Sequence, residues 1–368
     1  MCSWKVVPVS SAEAATVAPR EPGSRFLDEI REQPAAIRRL LESSATFVEI
    51  ADEMRRREAT TIRMVGHGSS DNAASYGVYA FGLLPGWTAL RDSISLTVYY
   101  GAELDMSGCT VLALSQSGRT PDVVAYARLV RRRGAYVVAV TNDPDSELAR
   151  EADAVLELRA GDERAVAATK TYTNQLAALG LLAAHAAGKG DSFGVELQSV
   201  AAAMPEFTDS LQARIGNVAV PFAYAGRMFV VGRGAEYATA REIALKLLET
   251  CRIAAEPLTA TDLAHGPVAA LDSLFPVWAI ASDDANLPAV VEAVERAHEA
   301  GATIVASGSA AESVPHAQYV LASPKTSSPL LGPLLSILPG QLFAWALARA
   351  RGLDPDAPRG LSKVTLAR

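Results

Sequence analysis

The sequence predicts an α/β protein made of two tandem units, each a doubly wound, mostly parallel sheet flanked by helices. Three observations predict it. Short apolar runs such as 61–65, 109–114, 135–142 and 154–158 are each bounded by turn residues, and most lead into an amphipathic run of helical length. The arrangement occurs twice: RMVGHGSSDNAASYG is paralleled by RMFVVGRGAEYATARE, and the strand around Val138 by that around Ile304. Gly66 and Gly232, and Val138 and Ile304, are each 166 residues apart, so two different elements share one offset, which is the mark of a tandem duplication. Finally, 368 residues exceed what one ordinary core organises.

Composition narrows the function classes. Apolar residues make up 49% and charged residues 20%, as in a well-packed globular protein. The net charge of −7 argues against broad binding of nucleic acid or anionic membranes. Three scattered cysteines (Cys2, Cys109, Cys251) form no metal-ligating cluster and fit a reducing, cytoplasmic setting. Neither a cofactor nor a metal is expected. No signal-peptide core or membrane-length apolar run is visible.

Taken in order, residues 1–25 are rich in Ala, Ser and Pro and are expected to be a flexible arm. Residues 26–54 carry helical periodicity, with Pro34 expected to separate two helices. The first unit, 26–190, continues with a strand at 61–65, a Gly/Ser loop and a helix; a strand at SLTVYY (95–100); a strand from Cys109, the turn SQSGRT and a helix; and strands at 135–142 and 154–158. A hydroxyl-rich turn at 166–173 then opens a long apolar helix. The pattern resets near residue 190. A helix over 194–213 and a second α/β unit follow, so 191–350 forms the second domain, with a last helix over 333–351 and a tail, 351–368.

Two loops suit an anion. Gly66 and Gly68 precede Ser69 and Ser70 at a helix start, where close backbone approach, N–H groups and hydroxyls converge. The same residues also fit a plain N-cap and tight turn. Ser115, Gln116, Ser117 and Thr120 form a second such loop, and both lie at the carboxyl ends of strands, where open α/β sheets gather ligands. The second unit has SDDAN at the corresponding place; two carboxylates there would repel a phosphate, so only the first unit is competent for one. On the segment 241–272, Ile243, Ala244, Leu247 and Leu248 form an apolar stripe, while Glu242, Lys246 and Glu249 share another face. A solvated ion pair is the ordinary outcome of such spacing. Here His265 follows in the loop LAHGP, so a carboxylate, an amine and an imidazole are available for proton transfer. Lys363 in the tail would by itself read as a solvated side chain.

Residues 26–368 resemble SIS (sugar isomerase) domains, and more closely the isomerase half of glucosamine-6-phosphate synthase, together with stand-alone deaminases of that type. The likeness is carried by SQSGRTPDVV, VAATKTYTNQL, EIALKLLET, DLAHGPVAALD and the ending RGLDPDAPRGLSKVT. It implies that Ser69, Ser70, Ser115, Gln116, Ser117, Thr120, Val166 and Glu242 hold a sugar and its 6-phosphate. It further implies that Glu249 moves a proton between C1 and C2 beside Lys246. His265, supplied by the neighbouring subunit of a homodimer, would serve ring opening, and Lys363 in a tail completing the site would contact a ketose covalently. No glutaminase domain is expected in this chain. Four positions depart from the family pattern: Arg119 replaces an acid in the phosphate loop, a change expected to favour an anionic ligand; Ala168 replaces a serine; Asp262 replaces a glutamate; and Ala264 replaces a lysine.

The expected activity is ring opening and C2 proton abstraction on a hexosamine 6-phosphate, giving fructose 6-phosphate and ammonia from glucosamine 6-phosphate. The alternatives are dehydration of N-acetylglucosamine 6-phosphate by β-elimination, simple aldose–ketose isomerisation, or deglycation of a fructosamine phosphate. A sugar-phosphate-binding regulatory module is the non-enzymatic alternative, and such a module has no use for Glu249, His265 and Lys363 together.

Overall fold

The computed structural model describes residues 20–363. Its first sheet consists of β1 (Thr61–Val65), β2 (Thr88–Arg91), β3 (Cys109–Leu114), β4 (Tyr136–Thr141) and β5 (Ala154–Glu157), in the order β2-β1-β3-β4-β5, all parallel. The second consists of β6 (Arg227–Gly232), β7 (Ala254–Thr259), β8 (Pro276–Ile280), β9 (Thr303–Gly308) and β10 (Tyr319–Ala322), in the order β7-β6-β8-β9-β10, again all parallel. The two orders are the same, and so is the pairing of β1 with β3 and of β6 with β8: Val65 is paired with Ala113, and Val231 with Ala279. The central strands CTVLAL and YVVAVT are buried along their whole length, as befits parallel strands covered on both faces.

The helices are α1 (Ser24–Leu41), α2 (Ser44–Arg56), α3 (Ser69–Leu83), α4 (Ile94–Val98), α5 (Pro121–Arg132), α6 (Glu147–Glu151), α7 (Lys170–Ala186), α8 (Gly190–Ala219), α9 (Glu236–Cys251), α10 (Ala260–Ala264), α11 (Leu287–Glu299) and α12 (Gly332–Ala350). The outer face of each sheet has its own apolar layer, involving α5 in the first unit and α11 in the second. The inner faces share one large core, to which α1, α3, α7, α8, α9 and α12 all contribute. That shared core seats α9 of the second unit against α3 of the first, and this contact builds the site. Among the described residues no helix is long and apolar enough to cross a membrane.

Three expectations are corrected. Pro34 does not separate two helices: α1 runs through it to Leu41. A proline there deprives the Ile30 carbonyl of its helical donor, and the Gln33 side-chain amide donates to that carbonyl instead, at 2.9 Å. SLTVYY is not a strand. The edge strand is Thr88–Arg91, and Ile94–Val98 is a short helix in which Ile94 and Thr97, three apart, are the buried residues. The i, i+3 spacing of the buried pair is the helical period. The expected arm, 1–25, ends earlier than its composition indicates. Residues 1–19 lie outside the described residues, but α1 already begins at Ser24, and the backbone N–H groups of Gly23 and Phe26 donate to Asp354 and Asp356.

Candidate active site

A cavity of about 500 Å³ opens at the carboxyl ends of β1 and β3. Four segments wall it: the loop into α3, the loop into α5, the approach to α7, and the Glu249 face of α9, with Leu361–Lys363 closing one side.

The loop into α5 is shaped by Gly118, whose φ is +60° and where a Cβ would lie 2.0 Å from the Ser146 hydroxyl, so no side chain fits there. The turn leaves Ser115 and Thr120 sharing a hydrogen bond at 3.0 Å, with Ser117 accepting from the Arg119 N–H. Arg119 is exposed, pairs with Asp143 at 3.0 Å, and does not border the cavity. In the loop into α3, a Cβ on Gly66 would lie 2.8 Å from Ser70 Cβ, which shows how closely strand and helix approach. Ser70 accepts from Gln175 at 2.9 Å. Ser69 donates to Glu242 Oε1 at 2.8 Å, and Asn72 donates to Glu242 Oε2 at 2.8 Å.

These bonds lead into α9. Glu242 and Lys246 are fully buried, and the Lys246 ammonium lies 3.3 Å from Glu242 and 2.7 Å from Glu249. The solvated ion pair that this spacing ordinarily gives is therefore replaced by a buried one. Burial pulls the Lys246 amine down, but the charges of Glu242 and Glu249 outweigh it and hold it above the usual lysine range. Glu249 keeps 22% of its side chain exposed and borders the cavity. The arrangement is a carboxylate facing the cavity, backed by a fixed cation that is itself anchored by a second carboxylate. Leu248, expected in the apolar stripe, is exposed instead.

Val166, Ala168 and Thr171 line the third wall. Beneath them Glu163 is buried and accepts from the Thr169 and Thr171 N–H groups and the Thr171 hydroxyl. Lys363 donates to Glu163 at 2.6 Å and to the Ala165 carbonyl at 2.8 Å, so the tail lysine is docked rather than solvated. The donors around Glu163, Lys363 foremost, outweigh burial and hold its carboxyl below the usual range. The remainder of the tail, 364–368, lies outside the described residues.

The expected residues Ser69, Ser70, Ser115, Gln116, Ser117, Thr120, Val166, Glu249 and Lys363 thus share one cavity, with Lys246 and Glu242 directly behind its wall. His265 is not brought to it. It is exposed at the C-terminal end of α10, away from the cavity lining. Three titratable lining residues were missed from the sequence: Glu163, His67 and Asp122. An acid in a loop, a histidine between two glycines and an acid in a first helical turn are each ordinary in isolation, and only the fold sets them around one space.

The description "SIS domain" matches residues 57–185 and again 222–350. Glutamine–fructose-6-phosphate aminotransferase (isomerizing) of Pyrococcus horikoshii is 34% identical over 347 residues, covering 92% of this chain and 57% of that protein. The enzyme of the same name from Mycobacterium tuberculosis H37Rv is 36% identical over 360 residues, with the same 92% and 57% coverage. The chain therefore spans little more than half the length of these curated relatives. Among solved structures, the C-terminal domain of glucosamine-fructose-6-phosphate aminotransferase from Francisella tularensis matches with a TM-score of 0.82 at 26% identity, covering 90% of this chain and 97% of that one. Glucosamine-6-phosphate deaminase from Thermotoga maritima matches in fold, with a TM-score of 0.75 at 21% identity over 94% of this chain and 100% of that one.

Proposed function

The chain belongs to the SIS domain family, and from that premise we propose that it acts on a hexosamine 6-phosphate. In the favoured reading it converts glucosamine 6-phosphate to fructose 6-phosphate and ammonia. The observation that carries this is Glu249: a partly exposed carboxylate on the cavity wall, 2.7 Å from a buried ammonium, in the same space as the hydroxyl loop of Ser115, Ser117 and Thr120.

In this reading the hydroxyls and helix N-termini hold the phosphate, which fixes the other end of the substrate against Glu249. Opening the ring gives an aldehyde at C1 and makes the C2 proton acidic. Glu249 takes that proton and returns it to C1, passing through an enolamine. The resulting C2 imine is attacked by water and releases ammonia. Lys246 holds Glu249 in place through their 2.7 Å contact. Lys363, docked against Glu163, presents a cation to the substrate's oxygens. His265 would reach a cavity only from a second copy, so a homodimer is part of the proposal.

Ala168 supports a second reading. It removes a hydroxyl from the cavity wall, which suits an N-acetyl substituent. An acylated amine does not leave as ammonia, and the same base would then expel the 3-hydroxyl. Incubation of the purified protein with glucosamine 6-phosphate and, separately, its N-acetyl form, read by mass spectrometry, tests both. Loss of the amine from the first supports deamination. Loss of water from the second alone replaces it with elimination. No change in either overturns the proposal.

A further inference from the structure

The start of α1 is capped by the tail that carries Lys363. The first turn of a helix has backbone N–H groups without helical partners. In α1 the cap position is Gly23, which has no side chain to offer them, and the first turn holds no acid. The acceptors come instead from the far end of the chain. The Arg25 N–H donates to Asp356 Oδ2 at 3.1 Å, and the Phe26 N–H to Asp356 Oδ1 at 2.8 Å. Asp354 Oδ1 accepts from the Gly23 N–H and from the Asp356 N–H, each at 3.0 Å, so the tail turns around the helix start. A negative charge at this end of α1 is also favoured by the helix dipole.

The same tail residue reaches the cavity wall. The Asp356 carbonyl accepts from the N–H of Val166, at 3.2 Å, and Val166 lines the cavity. The peptides just before Val166 are held by α1 itself: Glu29, buried in its second turn, accepts from the Arg164 N–H at 2.5 Å and the Ala165 N–H at 3.2 Å. Lys363 meets this segment from the other side, donating to the Ala165 carbonyl at 2.8 Å and to Glu163 at 2.6 Å. Residues 163–166 are thus fixed by α1 and by two points of the tail. Between those points residues 359–362 are exposed, so that stretch gains little from apolar burial and its place depends on polar contacts.

We propose that Asp356 is a positioning residue: by capping α1 it docks the tail and so sets Lys363 at the cavity wall. The inference deepens the sugar-phosphate reading, on which its kinetic half rests. Asp356 does not border the cavity. It acts through Lys363, whose ammonium reaches the cavity only while the tail is docked.

The test measures docking and turnover separately. A lysine-specific protease must take the lysine side chain into its own pocket, so it cuts after Lys363 only when that ammonium has left Glu163. Intact-mass spectrometry follows loss of residues 364–368 from the folded full chain in wild type, Asp356→Ala and Asp356→Asn. Cleavage after Lys363 is expected to be about 10-fold faster in Asp356→Ala. Asp356→Asn should be intermediate, because its one side-chain oxygen still accepts an N–H, and it supplies the same reading should Asp356→Ala fold poorly. Cleavage after Lys325, which is exposed in the second repeat, should not change. For turnover, kcat/KM on glucosamine 6-phosphate is compared in wild type, Asp356→Ala, Lys363→Met and the double variant. A fall of about 10-fold is expected in Asp356→Ala and a larger one in Lys363→Met. Adding Asp356→Ala to Lys363→Met should cost nothing more, because the tail then has no amine to deliver. Equal cleavage after Lys363 in wild type and Asp356→Ala overturns the proposal. So does an additive loss in the double variant, which a merely structural role would give, or full turnover in Asp356→Ala with the tail released. If wild type leaves the sugar phosphate untouched, the sugar-phosphate reading fails, and the cleavage rates still decide whether Asp356 docks the tail.

Discussion

The two repeats have one strand order and share the pairing of their first three strands, yet they treat the start of their first helix in opposite ways. In the first repeat, α3 begins with Ser69 and Ser70 beside a cavity of about 500 Å³. In the second, the residue 166 positions after Ser70 is Glu236, the first residue of α9. Its buried carboxylate accepts from the hydroxyls of Thr239 and Ser282 at 2.7 Å and of Ser336 at 2.9 Å. A helix N-terminus favours a negative charge, and the second repeat satisfies it with a side chain. Only about 110 Å³ remains nearby, walled in part by Asp283 and Asp284. Duplication thus kept the scaffold, filled the space at one helix start from within and left the other beside an open cavity. The second repeat's contribution to the open site is the far end of the same helix, where Lys246 and Glu249 lie.

Breaking the base should break that division most sharply. Glu249→Gln is expected to lower turnover by about 10³-fold while leaving the unfolding midpoint near that of wild type. Lys325→Met, which removes a solvated partner of Asp283 in the second repeat, should leave steady-state kinetics unchanged. Next in size is stability. Lys246→Met leaves Glu242 as a buried, unpaired carboxylate, and denaturant unfolding should show a loss of about 3–5 kcal/mol. At the hydroxyl loop, Ser115→Ala should raise KM for a sugar 6-phosphate about 10-fold or more, the scale of one hydrogen bond to a charged group. Ser282→Ala in the corresponding loop of the second repeat should not move KM.

The smallest effect is a pH dependence confined to the first repeat. Burial raises the Glu29 carboxyl to about 7, against the opposing pull of the Arg164 N–H it accepts from and with help from the charge of Glu163. A carboxyl with a higher pKa folded than unfolded binds more protons in the folded state, so it costs stability as pH rises between the two values. The difference in unfolding free energy between wild type and Glu29→Gln should therefore shift toward the variant from about pH 4.5 to about pH 7, and be flat above and below. A flat difference throughout would mean that Glu29 is ionised in both states.

Much of this was legible in the residues. The apolar runs located the central strands, and the shared offset located the repeat, because buried parallel strands and tight glycine turns leave few substitutes. The spacing of Glu242, Lys246 and Glu249 placed them on one face. It did not show that the face is buried, since burial of Lys246 depends on α3 packing across it, with Ser69 lying 177 residues away in the chain. The edge strand 88–91 carries little apolar pattern because it is half exposed, and SLTVYY took its place in the reading. The Gln33 amide that rescues a proline inside α1 has no local signal at all. Neither do Glu163, His67 and Asp122, which meet only through the sheet order.

The most direct measurement of the central claim is a calorimetric titration of glucosamine 6-phosphate into Glu249→Gln, repeated with Ser115→Ala and then with Ser282→Ala added. One site per chain, weakened about 10-fold or more by Ser115→Ala and untouched by Ser282→Ala, is the predicted result. Two sites per chain, or binding that survives Ser115→Ala and fails with Ser282→Ala, would contradict the account.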